Sequence, residues 1–180
     1  MASFRTHQQD QAAAASRRQS LYTPAERVRR DATAWTMVQG ILAPLQFLIC
    51  LVSIALVLRY LVSGEGYHAA VLSVVAKTLA LYAIMITGSI WEKVVFGRWL
   101  FAPAFFWEDV VSMGVIALHT GYLAMLIAGV GTPGEQFAVA LAGYGAYVVN
   151  AAQFIFKLRA ARLEHTGRAA AVARSAQVPA

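Results

Sequence analysis

Four long apolar stretches constrain the fold of this chain more than any other feature of its sequence. They cover approximately residues 36–62, 68–91, 107–130 and 136–157. Each is near or above the roughly 20 residues that a helix needs to cross about 30 Å of hydrocarbon. None shows the strict alternation of apolar and polar residues that a membrane β-strand requires. The sequence therefore predicts an all-α integral membrane protein with four transmembrane helices.

The composition agrees with lipid as the solvent. Apolar residues make up 59% of the chain and the mean hydropathy is +0.57, whereas a soluble domain is about 45–50% apolar. Cys50 is the single cysteine, which excludes an intramolecular disulfide and any multi-cysteine metal site. Phosphate loops, dinucleotide fingerprints and nucleophile elbows are absent from the sequence, so a nucleotide-driven or hydride-transferring enzyme is not expected.

The positive charges indicate how the chain is oriented. The net charge of +6 would suggest nucleic acid in a soluble protein, but thirteen of the fifteen Lys and Arg lie in the two tails and in the link between the second and third spans. By the positive-inside rule these segments are cytoplasmic, so both termini are expected inside. The basic residues then favour membrane lipid as a partner and argue against nucleic acid.

The flanking segments divide the chain into three parts. We expect a disordered cytoplasmic tail over residues 1–20, a transmembrane domain over 21–164, and a flexible C-terminal tail over 165–180. Thr23 before Pro24, with Glu26 three residues after Thr23, forms a capping-box pattern that predicts a short interfacial helix to about Asp31. Short turn sequences join the first two spans and the last two, which predicts an antiparallel bundle.

Polar residues from all four spans are expected at one depth. Helical rise places Glu92 at the cytoplasmic end of the second span and Glu108 and Asp109 at the start of the third. The amides Gln46, Asn150 and Gln153 are expected in the same cytoplasmic half. Ordinary interfacial charge and interhelical hydrogen bonding are the alternatives to a functional site here.

An aromatic segment adjoins these carboxyls. Residues 101–107 are too apolar for a water-loving loop and are expected to dip into the membrane interface. The neighbouring acids would then be partly desolvated, a setting that favours a protonated, proton-donating carboxyl.

Two further ionisable residues fall near mid-depth. His119 either forms a local hydrogen bond, to Tyr82, Thr120 or a backbone carbonyl, or serves as an axial metal ligand or proton relay. Lys77 either extends toward the outer interface or meets His119 across the bundle. A small transporter built on this pair is disfavoured, because the spans show no repeat and no paired helix breakers at mid-depth.

Several residue strings resemble the 3-vinyl bacteriochlorophyllide hydratase family of bacteriochlorophyll biosynthesis. The resemblance covers about residues 21–164 and is carried by the strings Leu21-Tyr22-Thr23-Pro24-Ala25-Glu26-Arg27, Trp35-Thr36-Met37-Val38-Gln39-Gly40-Ile41-Leu42-Ala43-Pro44-Leu45-Gln46-Phe47, Gly88-Ser89-Ile90-Trp91-Glu92-Lys93-Val94-Val95-Phe96-Gly97 and Phe101-Ala102-Pro103-Ala104-Phe105-Phe106-Trp107-Glu108-Asp109. It implies a hydro-lyase that adds water to the C3 vinyl group of chlorophyllide a or 3-vinyl bacteriochlorophyllide a. The product would carry a 3-(1-hydroxyethyl) group.

That chemistry assigns roles to the polar layer. We predict Glu108 as the acid and Asp109 or Glu92 as the base that activates water. Substrate-binding residues are predicted to be Trp91, Phe105, Phe106, Trp107, Asn150, Gln153 and Gln46. His119 as an axial ligand of the pigment magnesium would exclude that arrangement, because it lies roughly 16 Å from Glu108 by helical rise.

The resemblance also bears on cofactors, location and partners. Hydration moves no electrons, so no cofactor is expected. The implied location is the bacterial inner or intracytoplasmic membrane. Because four helices are few to enclose a macrocycle, a homodimer or contact with other pigment-biosynthesis enzymes is expected. A non-catalytic pigment carrier or assembly factor with the same aromatic pocket is the alternative function.

Overall fold

The computed structural model describes residues 21–175, without the side chains of 164, 165 and 167–175, and that part of the chain consists of helices and connecting segments, with no strand. The predicted disorder of residues 1–20 and the last five residues of the predicted C-terminal tail lie outside the described residues. The helices are α1 Pro24–Ala32, α2 Ala34–Ser63, α3 Tyr67–Phe96, α4 Phe106–Ala128 and α5 Pro133–Ser175.

The four predicted spans are confirmed. The helices α2, α3 and α4, and the Pro133–Leu163 part of α5, are each long and apolar enough to cross a membrane. α3 continues five residues beyond its predicted end, because Glu92 and Lys93 are part of its last turns and the helix stops only at Gly97, which has φ 78°. α5 continues to Ser175; the domain limits and the flexibility of the C-terminal tail stay predictions.

α1 begins with the predicted capping box. The Glu26 N–H donates to Thr23 Oγ1 at 3.3 Å, and the Thr23 N–H donates to Glu26 Oε2 at 2.7 Å. Arg29 Nε donates to the Val95 carbonyl at 2.7 Å, which fixes α1 to the end of α3. The helix itself is confirmed, and its place on a membrane surface stays a prediction.

The bundle consists of two antiparallel hairpins. α2 pairs with α3 and α4 pairs with α5 along their lengths, while the two hairpins contact each other less closely. The buried core contains both apolar and polar side chains, and large apolar side chains such as Leu72 and Ile127 are exposed on the outside. An apolar exterior is what a lipid environment permits.

α4 and α5 approach closely at Gly143, and this contact yields a prediction. An alanine Cβ at Gly143 would lie 2.9 Å from ring atoms of His119, and that ring is fully buried and hydrogen-bonded to the Val115 carbonyl at 2.8 Å. We expect Gly143→Ala to lower the free energy of unfolding by about 1–3 kcal/mol through overpacking.

Gly145→Ala is the matched control for that measurement. Gly145 lies in the same helix, and an added Cβ there would meet nothing within 4 Å. Alanine has the higher helix propensity, so we expect this variant to be neutral or more stable by roughly 0.5–1 kcal/mol. Equal destabilisation of the two variants in detergent unfolding would contradict the proposed close contact.

Candidate functional site

The candidate site lies at the end of the bundle where α2 and α4 begin and α3 ends. We call the four side chains Glu92, Glu108, Asp109 and Lys157 the acidic site. Residues 97–105, which join α3 to α4, run beside it, and α1 is attached to the same end through Val95. All three predicted carboxyls are therefore brought together, and each is at most 5% exposed.

Glu92 and Asp109 form a pair that also holds the adjoining loop. The Ala102 N–H donates to Glu92 Oε2 at 3.1 Å, and the Phe101 N–H donates to Asp109 Oδ2 at 2.7 Å. The two carboxyl groups also lie within hydrogen-bonding reach of each other. A hydrogen bond between two carboxyls requires a proton on one of them, since an ionised carboxylate only accepts. The pair is thus suited to hold a transferable proton away from bulk water.

The loop that meets this pair has a strained backbone. Phe101 is the one non-glycine residue with positive φ in the described chain, at 58°. Such a conformation is unfavourable for a bulky residue, and strain of this kind is concentrated at functional sites. In this conformation the successive N–H groups of Phe101 and Ala102 donate to different carboxyls of the pair, those of Asp109 and Glu92.

Glu108 has a different partner. Lys157 Nζ lies 2.5 Å from Glu108 Oε2 in an ion pair, and it also donates to the Ala104 carbonyl. Lys157 was not predicted as a site residue, because its positive charge was interpreted only as a signal of membrane topology. The available signal was its position four residues after Gln153 and seven after Asn150, which places the three side chains on one face of α5.

The predicted aromatic surface is divided in two. Trp91 and Phe105 belong to a buried cluster, in which the Phe105 ring centroid lies 5.7 Å from that of Trp91 and 5.7 Å from that of Phe154. Phe106 and Trp107 instead point outward and are 43% and 68% exposed. The cluster therefore supports the acidic site from inside, whereas the other two rings face the surroundings of the bundle.

Tyr22 completes the buried cluster and was not predicted as a site residue. Its ring stacks on Phe96 with centroids 5.7 Å apart and lies 6.3 Å from the Phe105 ring. Burial raises the pKa of the Tyr22 phenol, with the nearby Arg30 acting in the opposite direction. The signal for Tyr22 was its place in the first of the family-like strings.

The three predicted amides lie in the bundle interior. Asn150 Nδ2 donates to Ser112 Oγ at 2.7 Å, one turn of α4 beyond Glu108. Within the described part of the chain, Gln46 Nε2, Asn150 Oδ1 and Gln153 Oε1 are buried without a hydrogen-bond partner. The structure thus directs these amides toward the interior of the helical bundle.

His119 and Lys77 share the centre of the bundle. His119 makes the local bond to a backbone carbonyl that was one of its two predicted alternatives, and its Nε2 atom is buried. Lys77 is fully buried, with Nζ 3.8 Å from the centroid of the Tyr147 ring and within electrostatic range of His119. The Lys77 side chain therefore points into the bundle and does not extend toward the outer interface.

Comparison with known proteins gives a consistent result. The family profile described as 2-vinyl bacteriochlorophyllide hydratase matches residues 22–160. A protein of that name from Cereibacter sphaeroides is 64% identical over 144 residues, covering 80% of this chain and 89% of the relative. Another, from Rhodobacter capsulatus, is 63% identical over 147 residues, covering 82% of this chain and 85% of the relative. No solved structure shows a significant match.

These matches confirm the resemblance carried by the sequence motifs. The numeral given to the vinyl group, 2 rather than 3, differs between the two descriptions, and the family is the same. The profile covers both α1 and the acidic site. This chain therefore belongs to the 2-vinyl bacteriochlorophyllide hydratase family.

Proposed function

We propose that this chain hydrates the vinyl group of a bacteriochlorophyllide-type pigment and that the acidic site performs the reaction. Membership of a hydratase family supports a hydro-lyase in bacteriochlorophyll biosynthesis. The observation that carries the choice of site is the Glu92–Asp109 pair, two buried carboxyls in contact beside a third, ion-paired carboxyl. Chlorophyllide a and 3-vinyl bacteriochlorophyllide a are the proposed substrates.

The first step is protonation of the terminal carbon of the vinyl group. The C=C π electrons form a C–H bond with the donated proton, and positive charge develops on the carbon attached to the ring, where the macrocycle delocalises it. A carboxyl pair that shares one proton supplies the acid. Once it has given up that proton, both carboxyls of the pair are ionised, and their fixed negative charge stabilises the cation beside them.

The second step is addition of water to that cation. The water oxygen forms the new C–O bond, and its surplus proton returns to a carboxylate, which restores the starting state of the site. The Glu92–Asp109 pair accepts this proton directly, or Glu108 accepts it first and passes it to the pair. The sum is one pigment and one water giving one alcohol, with no change in oxidation state.

The acid is here the Glu92–Asp109 pair and not Glu108, the residue expected from the sequence. Glu108 was predicted as the acid, but its ion pair with Lys157 occupies it as an acceptor. The proton shared by Glu92 and Asp109 is the better-placed acid, and titration belongs to the pair rather than to either residue.

The pigment is proposed to reach the site from the lipid. Phe106 and Trp107 are exposed at the start of α4, next in sequence to Glu108 and Asp109. A flat apolar macrocycle can stack on such rings with its vinyl group turned toward the carboxyls. With the pigment there, its magnesium is far from His119, which lies roughly 16 Å along α4 from Glu108.

The positive-inside pattern supports a cytoplasmic position for the acidic site, in a bacterial inner or intracytoplasmic membrane. The two hairpins contact each other less closely than the two helices within each hairpin do. This supports a position for the pigment, or for a second copy of the chain, along the boundary between the hairpins. Both placements are part of the proposal.

Direct conversion tests the proposed function. Membranes containing the protein are incubated with chlorophyllide a or 3-vinyl bacteriochlorophyllide a, and we expect a product that has gained one water by mass analysis. Glu65→Gln, an exposed carboxyl at the opposite end of the bundle, is the control and should leave conversion unchanged. Pigment binding without formation of any alcohol would instead identify a pigment carrier.

A further inference from the structure

Six buried side-chain atoms of the described residues have no hydrogen-bond partner, and all four membrane helices contribute at least one. Buried polar groups are nearly always bonded, and inside a bilayer bulk water cannot serve them. The atoms therefore need a partner that the protein itself does not provide. They are Gln46 Nε2, Lys77 Nζ, His119 Nε2, Tyr122 OH, Asn150 Oδ1 and Gln153 Oε1.

A continuous row of side chains on α5 connects the acidic site with the centre of the bundle. Its residues recur at spacings of three or four, so their side chains form a stripe that is about 20 Å long at the helical rise and winds partly around the helix. The stripe consists of Tyr144, Tyr147, Asn150, Gln153 and Lys157.

Unpartnered side chains of α3 and α4 lie against this stripe. Lys77 Nζ lies 3.8 Å from the Tyr147 ring centroid, and the His119 ring lies 5.5 Å from the Tyr144 ring. Tyr122 is three residues from His119 and fully buried. Gln46 is 2% exposed and lies one turn before Cys50, which packs in the same core cluster as Tyr144 and Tyr147.

The mixture of donors and acceptors identifies the ligand chemistry. Lys77 and Gln46 Nε2 donate, the amide oxygens of Asn150 and Gln153 accept, and the His119 and Tyr122 groups can do either. A bound anion would require donors and a bound cation acceptors, whereas water satisfies both and typically makes about three bonds in a buried site.

We propose that this column binds a file of water molecules that runs from the acidic site into the bundle and supplies the water added to the vinyl group. The supply role rests on the proposed function; the water site itself does not. A macrocycle stacked on the outer rings would cover carboxyls that are already at most 5% exposed. Water would then have to arrive from the opposite, interior side. Gln46, Asn150 and Gln153, predicted above to bind pigment, hold water instead.

Two variants and a matched control test the proposal. Gln46→Leu and Gln153→Leu each replace an unpartnered amide by an apolar side chain of similar size. Thr78→Val removes a buried hydroxyl that is already bonded within α3, at 2.8 Å to the Val74 carbonyl, and it lies beside Lys77. All are compared with the native protein in lipid nanodiscs.

Two measurements are made on each protein. X-ray radiolysis in ¹⁸O-water produces hydroxyl radicals only where water is present, and mass analysis reads their addition to Tyr122. Steady-state kinetics give kcat and the KM for the pigment. We expect Tyr122 to be labelled in the native protein and in Thr78→Val, and severalfold less in the two leucine variants, with kcat lowered severalfold and KM unchanged.

The outcomes separate the water file from its alternatives. A Tyr122 ring that stays unlabelled in the native protein would overturn the water site. Labelling that falls while kcat is unchanged would overturn the supply role. A raised KM with unchanged labelling would instead support the role in pigment binding that the sequence predicted for these amides. Should the native protein form no alcohol, the proposed function fails, and the labelling of Tyr122 still decides whether the column holds water.

Discussion

Asp109→Asn is expected to lower kcat for hydration by about 10²–10⁴-fold, the range typical of losing a general acid. Asparagine keeps a side-chain oxygen that can accept from the Phe101 N–H, as Asp109 Oδ2 does at 2.7 Å. The loop anchor can therefore persist, while the proton that we propose Asp109 shares with Glu92 is lost. Glu92→Gln is expected to act in the same way, because its amide oxygen can accept from Ala102. The measurement is single-turnover conversion of the vinyl pigment.

Glu108→Gln distinguishes this assignment from the one suggested by the sequence. If the pair supplies the proton, Glu108→Gln retains more activity than Asp109→Asn, since it removes at most the base. Loss of activity in Glu108→Gln with nearly full activity in both pair variants would restore Glu108 as the acid. Circular dichroism and unfolding of all three variants show whether a lost activity reflects a lost fold.

The architecture was predictable because each part of it depends on local sequence. Apolar runs of sufficient length fix the four spans, since lipid requires helices with internally satisfied backbones. The capping box at Thr23 fixes the start of α1. The shared depth of Glu92, Glu108 and Asp109 follows from helical rise alone. Each of these inferences needs only distances along the chain.

The pairing within the acidic site was not predictable in the same way. Depth places three carboxyls in one layer, but which of them meets Lys157 and which meets another carboxyl depends on the rotation of each helix about its axis. Burial of Lys77 depends on the same rotation, since the inner face of α3 carries it to the Tyr147 ring.

Part of the aromatic prediction could have been refined from helix geometry. Phe105, Phe106 and Trp107 are consecutive at the start of α4, and successive residues of a helix point about 100° apart. They cannot form one flat wall, and the structure buries Phe105 while exposing the other two. The positive φ of Phe101 carried no such signal, because the residue type does not favour it.

Lys157→Met is expected to have the largest effect on stability. It leaves Glu108, which is 5% exposed, without its cation, and breaking a fully buried pair costs about 3–5 kcal/mol. Lys157 is 29% exposed, so we expect a smaller loss, about 2–3 kcal/mol in the free energy of unfolding. Unfolding in mixed detergent measures it.

A double-mutant cycle separates the lost ion pair from lost packing. Adding Glu108→Gln to Lys157→Met removes the stranded charge, so the double variant should be more stable than Lys157→Met alone. Arg59→Met breaks an exposed pair with Glu65 at 3.5 Å and should change stability by no more than about 1 kcal/mol. If the effects of the two acidic-site substitutions simply add, Lys157 acts through the packing of its aliphatic stem and not through Glu108. The ion pair with Lys157 would then no longer be a reason to reject Glu108 as the acid. The choice between Glu108 and the Glu92–Asp109 pair would rest on the kinetic comparison alone.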